Sequence, residues 1–145
     1  MERRKLLHKL TGQALESVYA SSLPEHYQNL AYHYAHSDDS SNAVKYLRLA
    51  AEQAMSRSAY PEARDQLNSG LELLRTQADS QERARNEAAV RLALHTCLRA
   101  IGAAGGLPEI AENLERAREC SESADDDPGH FEVVEALADH YLGLI

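Results

Sequence analysis

Three histidines and three tyrosines crowd one short stretch: His26, His33 and His36 with Tyr27, Tyr32 and Tyr34. On a helix, His33 and His36 stand three apart, a spacing from which both imidazoles can reach one metal ion. The tyrosines, however, sit where helix-packing aromatics belong, and the stretch reads as packing rather than as a metal site. A pH response from these histidines has no identified partner in the sequence. Cys97 lies two residues from His95, and side chains two apart on a helix point to different faces, so a Cys–His nucleophile is not expected. Gly102-Ala103-Ala104-Gly105-Gly106 is Gly-rich but lacks the lysine and hydroxyl that hold phosphates, and no strand precedes it. It reads as a flexible turn between helices. Asp125, Asp126 and Asp127 read as a solvated turn with a helix cap at Asp127. No GxSxG or HExxH motif or equivalent triad is present. The chain is therefore read as non-enzymatic, with no catalytic residue, no metal and no cofactor.

Composition narrows the class of partner. The formal net charge is -8, and an acidic chain is a poor nucleic-acid binder, because phosphate contacts need clustered Lys and Arg. The one basic stretch, Arg3-Arg4-Lys5 with His8 and Lys9, reads as a solvated helix face. Cys97 and Cys120 belong to no CxxC pair and are expected on neighbouring helices at unequal distances from their turn. A disulfide, which needs Cα atoms within about 7 Å, is not expected. No apolar run approaches the roughly 20 residues of a membrane span, and the N-terminus lacks the apolar centre of a signal peptide. The expected location is cytoplasmic, with no membrane partner.

The elements that carry these residues are helical throughout. Ala and Leu dominate the apolar set, Phe131 is the single Phe, and there is no Trp. Leu7, Leu10, Ala14, Leu15 and Val18 keep helical spacing. A second helix is expected from Pro24 to about His36, a third from about Ser41 to Arg57, and a fourth from Pro61. A long fifth helix is expected to run to about Ala103, a sixth to open at Pro108, and a last to follow Asp125–Pro128. All four prolines thus fall at helix starts, where a missing N–H costs nothing and φ is already helical. Three of them, Pro24, Pro61 and Pro108, are followed by Glu, which suits the positive end of a helix dipole.

Recurring hairpins show an internal repeat. Tyr27, Leu30, Ala31 and Tyr34 lead to Ala43 and Leu47. Leu47, Ala50, Ala51 and Ala54 lead to Tyr60, Ala63, Leu67 and Leu71. A looser copy runs through Leu98, Ile101, Ile110, Leu114 and Ala117. Small residues are needed where paired helices touch. The first two copies share the third helix and compete for register. The Pro-Glu punctuation favours pairing the third helix with the fourth and the fifth with the sixth.

Four phrases carry a family resemblance: Glu25-His26 through Leu30-Ala31-Tyr32-His33-Tyr34, Asn42 to Leu47, Ser58 to Ala63, and Leu114 to Cys120. Over about Leu6 to Tyr141, the chain resembles the tetratricopeptide region of large bacterial signalling ATPases, some fused to class III adenylate/guanylate cyclase domains. The resemblance implies a sensory or autoregulatory arm whose ATPase and cyclase domains lie upstream. Gly70 departs from the pattern, where Ala is commoner, and is expected to weaken the fourth helix locally.

The expected fold is all-α, a tetratricopeptide-like right-handed α-solenoid of about seven antiparallel helices. Its parts are a divergent hairpin over 1–36, the best repeat over 41–76, a second repeat with a longer turn over 81–124, and the first helix of a truncated repeat over 128–145. The basic start and the apolar end, Tyr141 to Ile145, suggest ends cut from a longer protein. A partner groove is expected along the third, fifth and last helices, with Lys45, Arg48, Glu52, Met55, His95 and Arg99 facing outward. In the other register the second, fourth and sixth helices line it, and His33, Gln66 and Arg116 are exposed instead. The expected partner is a protein, a peptide or another domain of the parent chain. The alternatives are a spacer role or a homodimer through the exposed terminal helices.

Overall fold

The computed structural model describes residues 1–102, 107–125 and 127–143. Residues 103–106 of the expected Gly-rich turn, Asp126 of the acidic turn, the side chain expected to cap at Asp127, and the last two apolar residues, Leu144 and Ile145, lie outside what is described. The described elements are α1 (Glu2–Val18), a 3-10 turn (Leu23–His26), α2 (Tyr27–Ala35), α3 (Ser40–Ser56), α4 (Tyr60–Arg75), α5 (Gln81–Ala100), α6 (Leu107–Ser123) and α7 (Asp127–Leu142). The described residues contain no strand. No helix among them is long and apolar enough to cross a membrane.

Local chemistry explains most boundaries. Pro61, Pro108 and Pro128 are each the second residue of their helix, inside the first turn where no N–H is needed. Pro24 differs from expectation. It opens the 3-10 turn, and α2 begins only at Tyr27, so α2 has nine residues. Asp39 caps α3 by accepting from the Asn42 N–H at 3.1 Å, and Ser80 caps α5 by accepting from the Arg83 N–H at 3.0 Å. The fifth helix stops at Ala100, short of the expected Ala103, and Gly102 leaves it with a φ of 73°, a conformation natural to glycine.

The chain forms two compact units, Met1–Arg75 and Thr76–Ile145. In the first, α1 packs on α2, α2 on α3, and α3 on α4. α3 thus packs on both α2 and α4. Leu30, Ala31, Tyr34, Ala43 and Tyr46 form a core cluster, with Tyr27 and Leu47 half-buried against it. Ala51, Ala54, Ala63 and Leu67 are also fully buried, and Tyr60 is half-buried. In the second unit α6 packs on α5 and α7, and α5 also touches α7. Leu98, Ile110, Leu114, Ala117, Val133 and Leu137 are buried there.

α1 does not dock through the apolar face that its sequence advertises. Leu7, Leu10 and Val18 are 63%, 51% and 71% exposed, and of that set only Leu15 joins the core. The docked face carries His8, Gly12, Leu15 and Glu16, because α1 closes over the rings of Tyr34 and Tyr46. Gly12 permits that approach. A Cβ there would lie 2.9 Å from Tyr34 Cζ, with two more ring atoms within 3.2 Å. Tyr34 cannot yield easily, since it is buried and its ring stacks on Tyr46 at 5.7 Å. Gly→Ala in a helix interior ordinarily stabilises by about 1 kcal/mol. Here the clash reverses the sign. Gly12→Ala is expected to destabilise the first unit by about 1–3 kcal/mol in urea titration.

Candidate interaction surfaces

Sequence placed six residues on an outward groove. On α3, Lys45 is exposed and its ammonium lies 5.1 Å from the centroid of the Tyr46 ring. Arg48 and Glu52, one turn apart and both half-exposed, form an ion pair, and Met55 is half-buried beside them. These four make a mixed-charge strip with a flexible apolar end. On α5, Arg99 is exposed. His95 is not a surface residue: it is 4% exposed and turned inward, because α5 is covered by both α6 and α7. Of the residues expected to surface in the other register, Arg116 is exposed, while His33 and Gln66 are half-buried.

The histidine stretch gains a member that its own sequence does not announce. His8 of α1 lies beside His33, with the two Nδ1 atoms 3.0 Å apart, and its ring centroid is 5.3 Å from that of His36. One imidazole must donate and the other accept, so the pair is favoured when at least one ring is neutral. Burial, then the nearby His8 and His36, lower the pKa of His33. His36 turns its Nδ1 to the Tyr32 carbonyl at 2.8 Å. Among the described residues no group of three or more His, Cys, Asp or Glu is placed to hold a metal ion. The His8–His33 contact and the Lys9–Asp38 ion pair at 3.3 Å tie α1 to α2 and to the turn after it.

Two carboxylates, half-buried Glu16 and buried Glu87, organise the units. Glu16 accepts from the Tyr34 hydroxyl at 2.8 Å and also from the Tyr46 hydroxyl, tying α1 to α2 and α3. Burial and this contact with Glu16 push both phenol pKa values well above the ordinary tyrosine range. Glu87 on α5 is 6% exposed and pairs with Arg91 at 2.9 Å, with Arg83 and Arg116 each at 3.6 Å. Arg91 also reaches Asn113 of α6, whose amide donates to the Arg91 carbonyl at 2.7 Å.

Beside this network opens a recess of about 450 Å³, lined by Ser80, Arg83, Glu87, Arg116, Glu119 and Cys120 among others. Its charges largely satisfy one another, for Arg116 also pairs with Glu119 at 2.8 Å. Cys120, which lines the recess, is favoured as the thiol at neutral pH. Burial and the neighbouring Glu87 push its thiol up to about 11, and the thiolate is the reactive form. Both cysteines are buried free thiols.

Two helices leave large apolar side chains exposed. On α1, Leu6, Leu7, Leu10 and Val18 are 51–71% exposed. On α7, Phe131, Val134, Tyr141 and Leu142 are 42–68% exposed, while Val133 and Leu137 on the adjoining side are buried. Comparison with protein-family models, with characterised proteins and with solved structures finds no match to this chain.

Proposed function

We propose that the chain is a non-catalytic protein–protein interaction segment of a larger signalling protein, built as a tetratricopeptide-like right-handed solenoid. The observation that carries this reading is the pair of exposed apolar stripes on α1 and α7. Contiguous apolar surface on a folded helix is costly in water and marks a place where another protein binds. The hairpins, with Ala51, Ala54 and Ala63 at their buried contacts, fit the repeat architecture. The resemblance to signalling ATPase and cyclase proteins supplies the wider context, a sensory or regulatory arm. Lys45, Arg48, Glu52, Met55 and Arg99 are then the polar contacts of recognition, with His95 a core residue.

Selection of a random-peptide display library on the immobilised chain tests this. Enriched peptides are expected to lose at least about tenfold in affinity, some 1.4 kcal/mol, on Arg48→Glu, Leu10→Glu or Val134→Glu. Each of those positions is exposed or half-exposed, so the fold survives the change. Selection that returns no ligand sensitive to any of the three replaces this reading with a structural spacer.

A further inference from the structure

The two exposed stripes match each other in spacing and in charge. On α1 the exposed positions Leu7, Leu10, Ala14 and Val18 recur at steps of three and four. On α7 the exposed positions Phe131, Val134, Ala138 and Tyr141 do the same. This is the spacing with which one helix seats its ridge in the groove of another. We infer that α7 of one molecule packs on α1 of a second copy of this chain, in a head-to-tail contact.

Charge decides between this pairing and the like-with-like alternatives. Arg3, Arg4 and Lys5 are exposed at the start of α1. Segment 127–142 contains no Lys or Arg, and Glu132, Glu135 and Asp139 stand exposed on α7. At about 100° per residue, Glu135, Asp139 and Glu132 fall along one flank of the Phe131–Tyr141 stripe, and Arg3 and Arg4 fall at the head of the α1 stripe. Pairing α7 with α7 sets acid against acid and is disfavoured. Antiparallel pairing of α1 with α7 that seats Leu7 on Tyr141 and Val18 near Phe131 leaves Arg4 about five residues, roughly 7.5 Å, along the axis from Asp139, within reach of an extended arginine side chain. It also places the positive end of one helix dipole beside the negative end of the other.

A single helix pair falls below the roughly 1,200 Å² of a standard stable interface, so the contact is weak and sensitive to salt. It is also heterologous: the α1 face of one copy meets the α7 face of another.

Sedimentation equilibrium of the full chain over a concentration series at low salt tests the inference. The weight-average mass is expected to rise with concentration and to fall when salt is added. Leu7→Glu/Leu10→Glu, which spoils only the α1 face, is expected to leave a monomer. So is Phe131→Glu/Val134→Glu, which spoils only the α7 face. Mixing the two monomeric variants is expected to give a one-to-one dimer and nothing larger, since each retains the face the other lacks. A like-with-like contact cannot produce that complementation. Arg4→Glu is expected to weaken association about threefold, and a partner carrying Asp139→Lys to restore it. Unchanged helical circular dichroism shows that the variants fold. A wild-type chain that stays monomeric at every concentration overturns the inference and assigns the stripes to another occupant. So does association that survives in either double variant. The inference rests on the proposed function's reading of the same two stripes and names their occupant; the two fail separately, because loss of peptide capture on Arg48→Glu is read on α3, which the self-contact does not use.

Discussion

Acidifying the chain from pH 7 towards pH 4 is expected to loosen α7 from α5, and His95→Leu is expected to remove most of that loss. His95 is 4% exposed and its Nδ1 is buried without a hydrogen-bond partner. Burial lowers its pKa to about 4, with the positive Arg99 on its own helix and His140 on α7 adding to the effect and Asp139 of α7 opposing it. The sign follows from linkage. The unfolded chain holds this histidine near 6.5, so the neutral folded form is favoured in full above that pH. Below 6.5 the unfolded state takes up the proton first, and stability drains until the folded state titrates near 4. A shift from 6.5 to about 4 corresponds to roughly 3 kcal/mol, at about 1.4 kcal/mol per pH unit. Urea midpoints by circular dichroism at pH 7 and 4.5 measure the loss. Hydrogen exchange locates it, since peptides from 81–100 should open before those from 40–56. His33, also lowered, contributes in the same direction but acts where α1 meets α2. An undiminished slope in His95→Leu would show that another group carries the response.

That inward histidine also shows where sequence reading stops. Helix content and hairpin order were legible because prolines mark the first turns of α4, α6 and α7, and apolar residues keep their period along α3 and α4. The buried face of α5 is too broad for periodicity to orient it. Glu87, Ala88, Val90, Leu94, His95, Cys97 and Leu98 are all buried, because α6 and α7 cover different sides. An amphipathic reading assumes one buried side, and so it placed His95 outside. α1 failed for the opposite reason. Its most apolar face is left exposed, while Gly12 and Glu16, which look like surface residues, meet Tyr34 and Tyr46 from 18 to 30 positions away. A signal for this existed: a glycine in the middle of a helix has a cost that close packing can offset. Nothing in the sequence, however, names its partner. The tyrosines were read as packing residues, and their burial agrees. Their hydroxyls then require an acceptor, which is where a search for Glu16 would have begun.

Glu87 was invisible in the same way, and it carries the largest expected loss in the second unit. Its spacing to Arg83 and Arg91, four residues either side, is that of an ordinary solvated ion-pair ladder worth a few tenths of a kcal/mol. Packing of α6 changes its weight by burying the carboxylate with Arg91 and bringing up Arg116 and Asn113. Burial alone would raise its pKa, but the Arg91 hydrogen bond and the charges of Arg91, Arg116 and Arg83 outweigh that and hold it low. A depressed carboxylate stabilises the fold above its unfolded pKa near 4.5 and loses that contribution only below it, a window under the one set by His95. Glu87→Leu leaves the Arg91 guanidinium, 16% exposed, without its carboxylate. The expected cost is about 3 kcal/mol, read from urea midpoints at pH 7. Glu87→Gln, which still accepts from Arg91, should lose less. Arg83 and Arg116 keep Asp79 and Glu119, so the loss belongs mainly to Arg91. The double variant Glu87→Leu/Arg91→Met removes the stranded charge as well and should recover most of the stability. If the double variant is as unstable as the single one, the network is holding α5 to α6 through geometry that apolar side chains cannot replace, and Asn113 becomes the next residue to change.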